Sequence, residues 1–129
     1  MDNSNWVLST KNESVLELVI NRPERKNALS LAMYQKLAEQ LRQAAGDGSV
    51  RVVIIAGAQG CFTSGNDLED FAKGADLNPE SSPVVRFMMA LLDFPKPVIA
   101  AVDGLAIGIG TTLLLHCDLA YASARSQFR

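Results

Sequence analysis

Two uninterrupted apolar runs, Val52-Val53-Ile54-Ile55 and Val98-Ile99-Ala100-Ala101-Val102, most restrict what this chain can become. A strand with one wet face alternates apolar and polar side chains. A run without alternation suggests cover on both faces, the habit of strands in parallel sheets flanked by helices. Helical patterns stand before each run. Leu31, Tyr34, Leu37, Ala38, Leu41 and Ala45 recur at spacings of three and four, with Ser30 as N-cap and Gly46 and Gly48 as the stop. Val84, Phe87, Met88, Leu91 and Leu92 form a second apolar face within 84–94. Strands are expected at 6–10 and 15–20 as a hairpin turning through 11–14, then at 50–56, at 96–102 and, as the last, at 119–122. A short helix is expected to begin at 67–71. The polar stretch 73–82 reads as a mobile loop. The class is therefore α/β with mainly parallel pairing.

Composition sets limits on function. The 129 residues amount to one domain, 48% hydrophobic and 20% charged, which suits a packed core. A net charge of −2 supplies no global basic field, so nucleic acid is not an expected partner. No apolar run is long enough to span a bilayer, which takes about 20 residues. The N-terminus is polar and has no secretory h-region. Two cysteines, Cys61 and Cys117, fit a reducing compartment and no zinc spacing. The single His116 cannot build a metal site alone and reads as a core or helix-end residue. These features together point to a cytoplasmic protein without a metal.

Three stretches carry candidate chemistry. The first is Gly108-Ile109-Gly110-Thr111-Thr112, set after the strand and turn of Lys96 to Gly104. A strand, a glycine turn and a helix start leave backbone N–H groups free to meet an anion or an oxyanion. The same pattern also serves as a tight turn that lets a helix pack closely. A dinucleotide fingerprint is incomplete, because Leu113 stands where a third glycine is needed, and no Gly-Lys-Ser/Thr phosphate loop follows. The second stretch is Ser64-Gly65-Asn66-Asp67-Leu68, again after an apolar strand and loop. It reads as a capped loop, or as the partner turn that aims one more N–H at a shared oxygen. The third is Arg22-Pro23-Glu24-Arg25-Lys26-Asn27, a solvated loop or a small cationic clamp for phosphates. Glu69, Asp70 and Asp76 read as surface charges, with Glu69 near enough to the second stretch to remain a candidate.

In this order the three stretches resemble the enoyl-CoA hydratase/isomerase family, also called the crotonase family. The resemblance rests on Asn21-Arg22-Pro23 with Asn27-Ala28-Leu29, on Phe62 to Leu68, on Lys96 through Gly110, and on Cys117-Asp118-Leu119. It implies a spiral of ββα units, incomplete at the C-terminus, and a homotrimer or dimer of trimers for a full-length protein. It implies an acyl-CoA thioester as substrate, with coenzyme A part of the substrate and no separate cofactor. By motif position, the backbone N–H groups of Asn66 and Ile109 become an oxyanion hole. Arg25, Lys26, Ala28, Ser64, Asp67, Leu68 and Gly108 become the residues that meet coenzyme A and the acyl chain.

Two departures refine the resemblance. Hydratases of the family carry a glutamate where this chain has Thr112, and threonine is no carboxylate base at neutral pH. The pair Ser64-Gly65-Asn66-Asp67 and Gly108 to Thr112 is instead similar to the Δ3,Δ2-enoyl-CoA isomerase branch, in which one carboxylate carries a proton between carbons 2 and 4. The family's remaining catalytic glutamate lies in a segment after the strand near Tyr121-Ala122, so it is expected beyond Arg129. The 129 residues are accordingly expected to be an N-terminal portion. An enoyl-CoA hydratase, a non-catalytic acyl-CoA-binding module and, more weakly, a nucleotide-binding α/β domain stand as alternatives.

Overall fold

The computed structural model describes residues 5–73, 78 and 80–129. Among the described residues, eight strands and four α-helices follow one another. They are β1 Val7–Asn12, β2 Val15–Ile20, α1 Leu31–Ala45, β3 Val52–Gly57, β4 Cys61–Thr63 and α2 Leu68–Ala72. Then come α3 Pro83–Leu92, β5 Val98–Val102, β6 Leu105–Ala106, α4 Ile109–Thr112, β7 Leu119–Ala122 and β8 Gln127–Phe128. Short 3-10 turns occupy Pro23–Arg25 and Leu113–His116.

Two sheets divide the strands. The larger has the order β1-β2-β3-β5-β7 and the smaller β4-β6-β8. Among the described strands β1 and β2 pair antiparallel and the other pairings are parallel. From β3 onward the chain gives one strand to the large sheet and the next to the small one. That alternation is the expected ββα repeat. The strands of the small sheet are absent from the expectation, which ends the strands at Ala122. Pieces of two or three residues carry no period to read, and β4, β6 and β8 exist because they pair with one another. Lys11 and Asn12 also join β1, which tightens the hairpin turn to Glu13 and Ser14.

The expected cover on both faces of the apolar strands is met on one side only. Val53 and Ile55 of β3 and Val98, Ala100 and Val102 of β5 are buried, while Val52, Ile54, Ile99 and Ala101 are half-buried. The buried side chains join one core with Met33, Tyr34, Leu37, Ala38, Leu41 and Ala44 of α1 and Phe87, Ala90 and Leu91 of α3. Each large side chain so buried contributes roughly 2 kcal/mol.

The helix ends follow their caps. Ser30 accepts the Met33 N–H at 3.2 Å. At the other end of α1, Lys96 Nζ donates to the carbonyls of Ala44 and Asp47 at 2.6 and 2.7 Å. Ser82 caps α3 and Pro83 occupies its first turn. Of the stretch expected to be a mobile loop, residues 74–77 and 79 lie outside the described residues. His116 ends its 3-10 turn exposed, so its helix-end reading holds and its core reading does not. All four residues of β7 are exposed.

Candidate functional site

The small sheet brings the two glycine-bearing turns together. β4 and β6 run parallel, with Cys61 opposite Leu105 and Thr63 opposite Ala106. Parallel strands end on the same side, so the turn after Thr63 and the turn after Ala106 emerge beside each other. The Ile107 N–H donates to the Thr63 carbonyl at 3.0 Å. Gly65 has φ +98, and a Cβ there would stand 3.1 Å from the Ile107 carbonyl oxygen. A Cβ on Gly110 would stand 2.7 Å from Thr63 Cγ2 and 3.1 Å from the Thr63 carbonyl oxygen. The turns approach this closely because glycine faces the contact from both sides.

Counting backbone donors then narrows the chemistry. In the second turn the N–H of Gly108 goes to the Arg129 carbonyl, Gly110 to Ile107, and Thr111 and Thr112 to Gly108. In the first turn Ser64 N–H goes to the Lys26 carbonyl, Gly65 to Thr63 Oγ1, and Asp67 to the Leu29 carbonyl. That leaves Asn66, Leu68 and Ile109, whose N–H groups find no acceptor among the described residues. Leu68 opens α2, where first-turn donors have no partner within the helix, and Asn66 and Ile109 are the two that the resemblance marks. An unpaired backbone donor is costly where water cannot reach it, and useful where a ligand oxygen can.

A buried polar frame holds the first turn. Asn27 is fully buried; its Nδ2 donates to the carbonyls of Ala58 and Cys61, and its Oδ1 accepts the Arg22 N–H at 2.7 Å. Thr63 Oγ1 donates to the Asn27 carbonyl at 2.6 Å and accepts from Gly65. Lys26 and Asn27 are consecutive left-handed residues, φ 50 and 58. Such conformations cost energy outside glycine and persist where the surroundings over-determine them. Arg22 lies 4.0 Å over the Trp6 ring and pairs with Asp67 at 2.7 Å, both side chains about nine-tenths buried. The hydrogen bond from Arg22 holds the Asp67 carboxyl below its usual range. Tyr34 donates from its hydroxyl to Asn66 Oδ1.

A cleft of about 440 Å³ opens in front of this frame, lined by Arg25, Ala28, Ser64, Asn66, Asp67, Leu68 and Glu69. Six of the residues expected to meet the ligand are thereby gathered on one wall. Leu68, 82% exposed, offers an apolar surface there. Gly108 and Ile109 stand outside that lining, on the adjoining turn. The Lys26 side chain is likewise outside it; the Lys26 carbonyl serves the frame by accepting from Ser64 and from the Cys61 thiol at 3.2 Å. Asp67 lines the cleft, but its carboxylate is taken by Arg22 and by the N–H groups of Glu69 and Asp70, which it caps. Arg25 stands 3.4 Å from Glu69, both largely exposed. Tyr34 was hidden from sequence reasoning by its place in the apolar face of α1. Lys96 and Asp118, both in the resembling segments, turn out to hold the fold: Asp118 accepts the Val98 N–H at 2.7 Å.

These features define a protein that presents unpaired backbone donors beside an amphipathic cleft on a ββα spiral. The enoyl-CoA hydratase/isomerase profile matches residues 10–129, and the chain belongs to that family. It is 37% identical over 130 residues to enoyl-CoA delta isomerase 2 of Rattus norvegicus, covering 97% of this chain and 33% of that protein. It is 35% identical over 127 residues to the peroxisomal enoyl-CoA delta isomerase 3 of Mus musculus, covering 95% and 40%. The solved structure of Pseudomonas aeruginosa OdaA superposes with a TM-score of 0.94 at 50% identity, covering 98% of this chain and 51% of that one. The chain thus spans a third to a half of the length of these relatives. No helix among the described residues is long and apolar enough to cross a membrane.

Proposed function

We propose that the protein carrying this chain isomerises 3-enoyl-CoA thioesters to 2-enoyl-CoA, with Asn66 and Ile109 N–H groups as its oxyanion hole. The carrying observation is that both motif donors, one in each of the adjoining turns, lack an acceptor among the described residues. Removal of a proton from carbon 2 sends its electron pair into a C1–C2 double bond and charge onto the thioester oxygen. Two N–H donors at that oxygen stabilise the charge as it develops. The dienolate then takes a proton at carbon 4, and the double bond comes to lie between carbons 2 and 3. One carboxylate moving the proton between the two carbons suffices. In this reading it comes from outside the 129 residues, because Asp67 is bound by Arg22 and Glu69 stands by Arg25.

Thr112 and the names of the isomerase relatives favour isomerisation over hydration. In this reading Arg25 and Lys26 meet phosphates of coenzyme A. Ala28, Ser64 and Leu68 border the pantetheine and Gly108 borders the acyl chain, while Asp67 shapes the wall. No separate cofactor takes part. The whole protein assembles as a trimer or a dimer of trimers and works in the cytoplasm; its sedimentation mass and its location in cells check those two statements.

The test is direct. The whole protein is assayed with 3-enoyl-CoA and with 2-enoyl-CoA. Isomerisation of the first is the expected result, and hydration of the second without isomerisation overturns the reading. Calorimetric titration of the 129-residue chain with acyl-CoA reports binding separately from turnover.

A further inference from the structure

Tyr34 packs as a core residue, yet its one polar atom reaches the cleft wall. It is fully buried on α1, with ring centroids 5.6 Å from Phe87 and 6.3 Å from Phe71. Phe87 belongs to α3 and Phe71 to α2, so three helices fix the ring. The hydroxyl donates to Asn66 Oδ1, while Asn66 is exposed and lines the cleft. Burial pushes the Tyr34 hydroxyl far above its usual range, which keeps its proton in place. An amide has one acceptor and one donor end. With Oδ1 engaged by Tyr34, Nδ2 of Asn66 has no acceptor among the described residues. A side chain anchored at one end by a rigid neighbour gives up rotational freedom before any ligand arrives.

We infer that Tyr34 is a positioning residue: its hydroxyl fixes the Asn66 amide so that Nδ2 donates to an oxygen of the bound thioester. The inference rests on the proposed oxyanion role of Asn66. It adds a side-chain donor to the backbone donor of the same residue. It also gives the α1 face a task beyond filling the core.

The test uses the whole protein and a double-substitution cycle on 3-enoyl-CoA turnover. Tyr34→Phe keeps the ring and removes the anchor. It lowers kcat about tenfold and leaves KM within about twofold, because the lost contact is strongest where charge develops. Asn66→Ala lowers kcat by a similar factor, and adding Tyr34→Phe to it costs nothing further. Should Tyr34→Phe fail to fold by thermal melt, Asn66→Asp carries the test. It keeps an acceptor for Tyr34 and removes the donor, so its kcat falls as far as that of Asn66→Ala. Multiplicative losses in the cycle, an unchanged kcat in Tyr34→Phe, or full activity in Asn66→Asp would each overturn the inference and leave the isomerase reading standing. A wild-type protein silent on 3-enoyl-CoA overturns both.

Discussion

Gly110→Ala isolates the contact on which the paired turns depend. Gly110 sits in α4 with ordinary helical backbone, so alanine is conformationally welcome and gains up to about 1 kcal/mol over glycine. The difficulty is space. The new methyl would stand 2.7 Å from Thr63 Cγ2, where an ordinary contact begins at 3.4 Å. Thr63 must therefore retreat by about 0.7 Å. Its side chain cannot swing away, because Oγ1 donates to the Asn27 carbonyl and accepts from Gly65. The movement passes into the backbone of β4 and the Asn66 turn. Overpacking of this kind costs about 1–3 kcal/mol. Set against the helical gain, the net loss is about 0–2 kcal/mol, and the melting temperature falls by at most about 7 °C. The rate suffers more. Misplacing one donor by most of an ångström lowers kcat about a hundredfold. The assay is 3-enoyl-CoA turnover by the whole protein alongside its thermal melt. Gly48→Ala, with open space around its Cβ, serves as the reference. A Gly110→Ala protein that melts lower yet turns over within threefold of wild type refutes the argument.

The remaining predictions concern the frame and the cleft rim. Arg22→Ala leaves the Asp67 carboxylate buried without its cation and removes the stacking on Trp6, at a cost of about 3 kcal/mol in urea denaturation; a loss below about 1 kcal/mol contradicts the buried-pair account. Because the folded carboxyl of Asp67 is held below its ordinary value, its contribution is present above the ordinary carboxylate pKa of about 4 and is lost as pH falls through the folded value. Urea midpoints should decline in that acid range, and less steeply in Asp67→Asn; parallel declines in the two proteins count against it. Glu69→Gln frees Arg25 from its exposed partner and should tighten coenzyme A binding about twofold at low ionic strength. The gain should vanish near 1 M salt, and calorimetry that finds the same gain there rules out an electrostatic origin.

Much of the large sheet was legible because its strands are long enough to show a pattern. Val52 to Ile55 and Val98 to Val102 announce parallel strands, and the α1 face from Leu31 to Ala45 announces the helix. The small sheet was not legible. β6 is Leu105 and Ala106 alone, and it is a strand because Cys61 and Thr63 pair on one side and Gln127 and Phe128 on the other. The candidate donors Asn66 and Ile109 could be named by motif, but spacing alone does not show which N–H groups are free. Sequence shows several N–H groups in two turns; only the coordinates reveal that Arg129, Ile107, Thr63 and Leu29 occupy the neighbouring ones. Asp67 was legible only in part, for a related reason. Its position suggests ligand contact, while its carboxylate is spent on Arg22 and the α2 cap, a pairing between residues far apart in the chain. The spacing of Tyr34 in the α1 face marks it as core, which is true of its ring and silent about its hydroxyl.

The short strand β8 fixes where the coding region can be cut. Gln127 and Phe128 pair with Leu105 and Ala106, and the Arg129 N–H reaches the Ala106 carbonyl. The Arg129 carbonyl accepts the Gly108 N–H at 2.8 Å and lies 3.1 Å from the Thr111 hydroxyl, which has the Ala106 carbonyl nearer at 2.8 Å. A clone shortened to Ser126 would keep every segment that carries the resemblance and yet strip the outer rail from β6. It would also release Gly108 as a competing donor, so the turn would offer an oxygen two hydrogens where it now offers one.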